Sequence, residues 1–529
     1  MPVTQGVLAV AAVLGFLYTL VKVSKVGSRA KGLPPGPPTI PILGNLHLMP
    51  RVKPHLQLQK WAQEYGPIYS LILGLKVMIV LSSDVTVKDL LDKRSSIYSD
   101  RPDMFIGQKI ASGDMRLVVM RYGENWRMIH RIIHNILNIK AAVTYLPYQD
   151  LENKFLLAGL LETPHDVLNH IRRYSYSLST QMIFGYRCPD LKEPRLQQLF
   201  WSFERWGELA GSASAQLADL FPIMQKLPAA LAPNVRYAAK LHEKEKELYV
   251  GHWMQAKRGL EAGTGLVPLF LQRPFESADN RGIFRRCSED ISGSLLEAGS
   301  DTTASILYGF IQALLLWPDV QKKAQEEIDR VVGYDRMPTI DDYAEMSYIR
   351  CCIKESLRWM PTVSLGVPHA VVQDDVYNGY VIPKGATVVN NVWSIHMDPK
   401  RPPDPRRFNP DRFADDPTTL YQSATGDPKK RDNFVFGAGR RLRQGIHIAE
   451  RSLFLGMSRM LWAFSVSKAL DSKGLPITPD MDDLLGGQDR IIRDAVRECE
   501  ELLDPKTKQW TKVPPGMAFS TWMPEKIEA

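Results

Sequence analysis

Cysteine is scarce, five residues in a chain of 529. They are Cys188, Cys287, Cys351, Cys352 and Cys499, an odd number without CxxC spacing. That argues against a disulfide framework or a cysteine-rich zinc site, and the thiols read as reduced, in a protein that faces the cytosol. Cys351 and Cys352 are adjacent on a predicted helix and point in different directions, so they read as small buried residues. No block of one charge is present either. The net charge of +8 is modest for this length and the basic residues are scattered, which gives no support to a nucleic-acid partner. A basic surface facing an acidic membrane or an acidic redox partner is the functional reading of that charge, and solvated surface is the plain one. Low-complexity tracts are missing, and 44% hydrophobic with 23% charged residues is ordinary for a folded chain.

One apolar run stands out, Val7 to Val21, followed by Lys22, Lys25, Arg29 and Lys31. A spanning helix needs about 20 residues, so this one must recruit Val23 while Lys22 snorkels. A cleaved signal peptide is the alternative, but no basic segment precedes the run and the positive charge lies after it. The positive-inside rule then puts the rest of the chain in the cytosol. Residues 1–32 are expected to be a membrane anchor with a basic flank, and residues 33–529 the body. Leu33-Pro34-Pro35-Gly36-Pro37-Pro38, with Pro41 and Gly44, cannot be helix and holds anchor and body in a fixed relation.

The body reads as mainly α with small β-sheets. His55–Tyr65 has helical periodicity, 67–81 reads as two strands around Gly74-Leu75-Lys76, and 101–121 reads as a loop. Helices and loops alternate from 141 to 286 without defensible chemistry; the apolar segment 200–227 suits a substrate channel or plain packing. Glu289 to Trp317 has no proline and reads as one long helix. Its centre, Ala298-Gly299-Ser300-Asp301-Thr302-Thr303, is poor helix material, since a central glycine costs ~1 kcal/mol relative to alanine. Pro318 opens the next helix, with Lys322/Glu326 and Lys323/Glu327 as exposed pairs and Gly333 as its stop. In the helix 349–360, Glu355 and Arg358 share a face; alone, such a pair is most often superficial. Strands with a hairpin are expected from His369 through Tyr377-Asn378-Gly379-Tyr380, and short strands after Ala463, with Trp522-Met523 closing a pocket.

Asn433 to Glu450, NFVFGAGRRLRQGIHIAE, is the stretch around which the rest is organised. Phe436 offers a flat apolar wall, Gly437 and Gly439 a tight turn with close approach to a planar ligand, and Arg440 and Arg441 forks suited to carboxylates. Ile446, Leu453, Met457 and Leu461 then repeat at helical spacing, as in a buried helix. A dinucleotide-binding turn is the alternative, but the third glycine of that fingerprint is absent. The run Phe436 to Leu442, then position 443, then Gln444-Gly445, resembles the heme-binding signature of the cytochrome P-450 (heme-thiolate monooxygenase) family. The residues LPPGPP, AGxDTT at 298–303, ExxR at 355–358 and Pro410-Asp411-Arg412-Phe413 resemble that family's other landmarks, in the same order. The resemblance covers Leu33 to the C-terminus and is greatest to fungal secondary-metabolism members, including the O-methylsterigmatocystin oxidoreductase type.

The resemblance implies a cytochrome P-450 fold with an N-terminal membrane anchor. It implies heme as cofactor and a single-pass monomer in the endoplasmic reticulum membrane, with the globular domain cytosolic, served by an NADPH-cytochrome reductase. It implies that Asp301 and Thr302 relay protons, and that Glu355, Arg358 and Arg412 form a structural lock. Trp126, His369 and Arg441 would contact the heme carboxylates. An arginine four residues after Trp126 normally joins it; here His130 stands there and Arg131 is displaced by about 100°. Trp126 as a core aromatic and His369 as a satisfied structural histidine are the competing readings. The family's axial ligand is a cysteine whose thiolate favours O–O cleavage. Arg443 occupies that position, and a guanidinium has no lone pair to donate.

Two functions follow. One is monooxygenase-type oxidative tailoring of a small apolar intermediate, with Arg443 marking a defective allele, an engineered change or ligation by another group. The other is a heme-free or thiolate-less relative that catalyses a non-redox step, cyclisation or isomerisation, or serves as a pathway scaffold. His447, about one helical turn beyond 443, is the nearest alternative ligand by sequence and is expected not to bind iron.

Overall fold

The proline-rich stretch docks through its carbonyls, because proline has no N–H to offer. Arg29 donates to Pro34 O at 3.2 Å and Pro37 O at 2.9 Å, and Asn45 Nδ2 to Pro37 O and Pro38 O at 3.0 and 2.8 Å. Ser70 N donates to Pro35 O at 2.7 Å, which ties the stretch to the first strand. The computed structural model describes residues 25–50, 52–263, 278–427, 431–469, 473–479, 481 and 518–521. The predicted anchor run 7–21 and Trp522-Met523 lie outside the described residues.

The main helices are α1 (Pro54–Tyr65), α2 (Glu124–Leu137), α3 (Leu146–Glu162), α4 (Val167–Phe184), α5 (Pro194–Ala210), α6 (Pro233–Glu261), α7 (Ala278–Leu316), α8 (Pro318–Val331), α9 (Ser347–Trp359) and α10 (Ile446–Ala463). The strands are β1 (Ile68–Leu73), β2 (Lys76–Leu81), β3 (His369–Ala370), β4 (Asp375–Tyr377), β5 (Tyr380–Ile382), β6 (Thr387–Asn390), β7 (Phe464–Ser467) and β8 (Ala518–Thr521). The larger sheet has the order β1-β2-β6-β3; β2 and β6 are parallel and the other pairs antiparallel. β4 and β5 form the predicted hairpin, with Asn378 (φ 50°) and Gly379 (φ 80°) at its turn. Two left-handed residues are what a tight two-residue hairpin turn needs.

Two expectations are corrected. Segment 101–121 is not all loop, since Phe105–Ile110 makes a helical turn. Asp219 Oδ1 accepts from Phe105 N at 2.7 Å and Ile106 packs on Leu209 and Leu241, so distant partners create a turn that local sequence does not announce. Lys323 and Glu327 do not pair. Lys323 bonds Asp411, while Glu327 is buried and accepts from Tyr348 N at 2.9 Å and Ile349 N at 3.0 Å, capping the start of α9. A carboxylate on exposed helix N–H groups also opposes the positive end of the helix dipole.

The core lies among α4, α7, α8, α9 and α10, where Phe310, Leu314, Ile349, Ile353, Leu453 and Met457 are buried together. α7 begins before the predicted Glu289 and stops at Leu316, because Pro318 disfavours helix at Trp317. Among the described residues no single helix is long and apolar enough to cross a membrane. The bent pair Ser288–Leu316 and Pro318–Val331 passes by length and composition only, and it contributes to this core. Glu355 and Arg358 are buried rather than superficial. Arg358 holds Glu355 at 2.6 and 2.7 Å, and Glu355 also accepts from Asn409 N at 2.7 Å and Arg412 Nε at 3.3 Å.

Candidate functional site

The loop before α10 is held rigid by two residues that no motif announced. Arg431 donates to Asn433 O at 3.1 Å and Gly437 O at 2.7 Å. Asp92 accepts from Arg431 at 3.1 Å and from Gly439 N at 2.6 Å. Both glycines are left-handed, φ 81° at Gly437 and 55° at Gly439, and a Cβ on Gly439 would lie 2.0 Å from Leu91 O. The turn therefore needs glycine for two independent reasons.

Phe436, Gly437, Arg441 and Arg443 from this loop line a cavity of ≈ 330 Å³. Ala298, Gly299, Thr302 and Thr303 of α7 line it too, as do Trp126 and His130 of α2, and His369 of β3. The fold thus brings together seven predicted site residues: Trp126, His130, Thr302, His369, Phe436, Arg441 and Arg443. Two stand apart. Arg131 is exposed and is not among the lining residues; the 100° offset from His130 turns it outward. Asp301 is not a lining residue either, but its carboxylate acts electrostatically on Arg443. The Thr302 hydroxyl donates to Ala298 O at 2.8 Å, one turn back along α7.

Each cavity residue has a definite electrostatic setting. Arg443 N donates to Phe436 O at 2.9 Å, which seats its backbone in the loop. Its guanidinium makes no hydrogen bond or ion pair with any described residue. Burial opposes its charge and Asp301 favours it. Arg441 stacks on Trp126, 4.3 Å from the ring centroid, and donates to Ser99 O at 2.9 Å and Met120 O at 2.8 Å. Burial pushes Arg441 down to about 10. Arg101, missed by the sequence reading, donates to Val118 O, Val367 O and Pro368 O at 3.0, 2.6 and 2.7 Å. Burial, Arg441 and Arg443 all work against its charge. His369 meets Tyr98 O through Nδ1 at 2.7 Å, and burial holds it neutral. His130 stacks on Trp126 at 4.4 Å, and its Nδ1 lies 3.1 Å from Gln444 Nε2, so Nδ1 accepts. Burial brings His130 down to about 4.

A second missed cluster sits in the same wall. Arg116 binds both oxygens of Glu245 at 2.8 Å and also pairs with Glu297, which accepts from Tyr249 Oη at 2.5 Å. Arg116 comes from the 101–121 segment, the glutamates from α6 and α7, and no local spacing could have joined them. His447 packs against Tyr421 at 5.0 Å and is not among the cavity residues.

A model of the Cytochrome P450 family matches residues 34–491. The chain belongs to the cytochrome P450 family. It is similar to the cytochrome P450 monooxygenase virE of Hypocrea virens, 50% identical over 549 residues that cover 99% of this chain and 98% of the relative. The cytochrome P450 monooxygenase fogE of Aspergillus ruber is 45% identical, covering 96% and 97%. The cytochrome P450 monooxygenase fsoB of Humicola fuscoatra is 44% identical, covering 96% and 98%.

Membership in the P450 family implies a heme cofactor, a small-molecule substrate and a reductase partner. One end of the cavity suits heme: Trp126 is buried with an indole N–H that donates to no described residue, and Arg441 and His369 line the same cavity. The place of Arg443 does not suit an iron ligand. The Arg443 guanidinium offers no lone pair, no cysteine among the described residues lines the cavity, and Cys188, Cys351 and Cys352 are free thiols buried elsewhere. Among the described residues no group of three or more His, Cys, Asp or Glu could hold a metal ion. This donor set does not fit a thiolate-ligated heme.

Proposed function

We propose that this chain is a P450 of a fungal secondary-metabolite pathway whose cavity takes a small apolar intermediate, and that Arg443 withholds the monooxygenase chemistry for which its relatives are named. The observation that carries the reading is the seat of Arg443. Its backbone is bonded to Phe436 O in the signature loop and its side chain lines the cavity that Thr302 lines from α7. Asp301 and Thr302, the proposed proton relay, are retained, and cysteine and arginine codons can differ by one base, so this is an oxidative lineage with its axial ligand replaced. Residues 1–32 anchor the protein in the endoplasmic reticulum membrane as a monomer, with residues 33–529 in the cytosol. Trp126, His130, His369, Phe436 and Arg441 are the proposed cofactor-side residues.

The test is an absorption spectrum of the purified protein, reduced, with and without carbon monoxide. The expected result is no thiolate-type band for the chain as it stands, and the appearance of one in Arg443→Cys, together with reductase-dependent oxidation of a pathway intermediate. A thiolate-type band in the unaltered protein overturns the proposal. One observation favours a second reading, a non-redox step such as cyclisation or isomerisation: the cavity carries a guanidinium that hydrogen-bonds to no described residue, a group that can bind and polarise an intermediate without any iron.

A further inference from the structure

The Arg443 guanidinium lines the cavity yet makes no hydrogen bond or ion pair with any described residue. The two other arginines at this end are already partly engaged, with Nη2 of Arg101 and Nη1 of Arg441 making no hydrogen bond to a described residue. Arg101 is committed to three backbone carbonyls, and Arg441 to two carbonyls and the face of Trp126. Neither brings a carboxylate with it. Asp100 is occupied by Arg121 at 2.7 Å and by Tyr122 N at 2.7 Å. The result is a pocket end with three guanidinium groups, one of which, that of Arg443, donates to no described residue.

A guanidinium does not shed its proton to escape this situation, as a lysine can. Asp301 favours the charge through space but makes no ion pair with it, and a cation drawn out of water is costly until an anion hydrogen-bonds to it. The planar fork of arginine matches a carboxylate through two parallel N–H···O bonds. The same cavity is lined by apolar side chains, Val367, Val435, Phe436, Leu442 and Ile448 among them, with polar ones such as Gln444 and Thr302 between them. We propose that this cavity binds an organic acid, its carboxylate held by the Arg443 guanidinium and its apolar body against the cavity wall. The inference rests on the reading that Arg443 stands at the axial position, and it names the ligand class for the non-redox alternative. Burial works against Arg443, and Arg443 in turn works against Arg101, so an anion at this point relieves both.

The test uses the purified full-length protein in detergent, with 2-naphthoate against 2-naphthamide and decanoate against decanamide, followed by titration calorimetry. Each amide has the shape of its acid without the charge. Charge-assisted hydrogen bonds predict that at least one acid binds about tenfold or more tightly than its amide. That preference falls to about twofold or less in Arg443→Gln and is partly kept in Arg443→Lys, which preserves the charge without the fork. Equal binding of acid and amide in both pairs overturns the inference, and so does an undiminished preference in Arg443→Gln, which would place the acid on Arg101 or Arg441. Should Arg443→Gln fail to fold, the comparison in the unaltered protein and in Arg443→Lys still decides. The carbon monoxide spectrum of the same preparation is a separate readout: a thiolate-type band there sinks the proposed function, whereas loss of acid preference without such a band sinks only this inference.

Discussion

His396 shows how much a single buried ring can be asked to do. It is fully enclosed, accepts from Phe434 N at Nε2 (3.3 Å) and meets Arg358 O at Nδ1 (3.1 Å), so the neutral ring with its proton on Nδ1 satisfies both partners. Protonation would set an N–H against the Phe434 N–H. Burial, then Arg358 and Arg401, bring it from 6.5 to about 3. The unfolded chain takes up this proton as pH falls below about 6.5, while the folded chain resists until about 3. Stability is therefore present at neutral pH and is lost as pH falls through that window, by about 2 kcal/mol between pH 6.5 and 5. Urea midpoints at pH 7 and pH 5 check this, and His396→Gln should flatten the acid side; an unchanged midpoint between the two pH values rules it out. At this scale sequence spacing was a partial guide. That Arg443 lines the cavity was expected from the residues around it, but the carbonyls that Arg101 and Arg441 bind were not, because they come from remote segments.

At the scale of elements, the long helix α7 was predicted from its apolar content, and its awkward centre was expected to serve a ligand. Gly299 does line the cavity, but it also faces α4: a Cβ there would lie 2.5 Å from Ser179 Oγ. That hydroxyl already donates to Ser175 O at 2.8 Å. Gly299→Ala gains ~1 kcal/mol of helix preference and meets an overpacking cost of ~1–3 kcal/mol. A net loss of ~1 kcal/mol is expected, and the double variant Gly299→Ala/Ser179→Ala should recover it. Thermal melts of the two variants decide; a Gly299→Ala protein as stable as the parent would show that the helices have room. The Lys323/Glu327 expectation failed at this same scale. Their i,i+4 spacing is real, but α9 lies close enough to claim the glutamate for its own N–H groups.

Across the whole molecule, Glu355 joins the helical core to the segment around residues 403–412. It is buried and is held by Arg358, Arg412 and Asn409 N, while Arg358 and Arg412 bind carbonyls of Pro405 and Asp404 at 2.8 and 2.6 Å. Removing the acid leaves two guanidinium groups facing each other without a counter-charge. Glu355→Ala is expected to cost roughly 3–5 kcal/mol and to raise hydrogen exchange across 403–412 before the rest of the fold opens. Unaltered exchange in that segment would mean that the lock is redundant.

Periodicity, prolines, glycines and ordered motifs are local quantities, and they were enough to determine a mainly helical protein with small sheets and its family. What only the tertiary structure decided is which charges meet. The Glu355 partners, the Arg116–Glu245–Glu297 cluster, the carbonyls that occupy Arg101 and Arg441, and the absence of any described partner for the Arg443 guanidinium all depend on residues far apart in the chain. Electrostatic pairing is set by distance through space, which no one-dimensional spacing encodes.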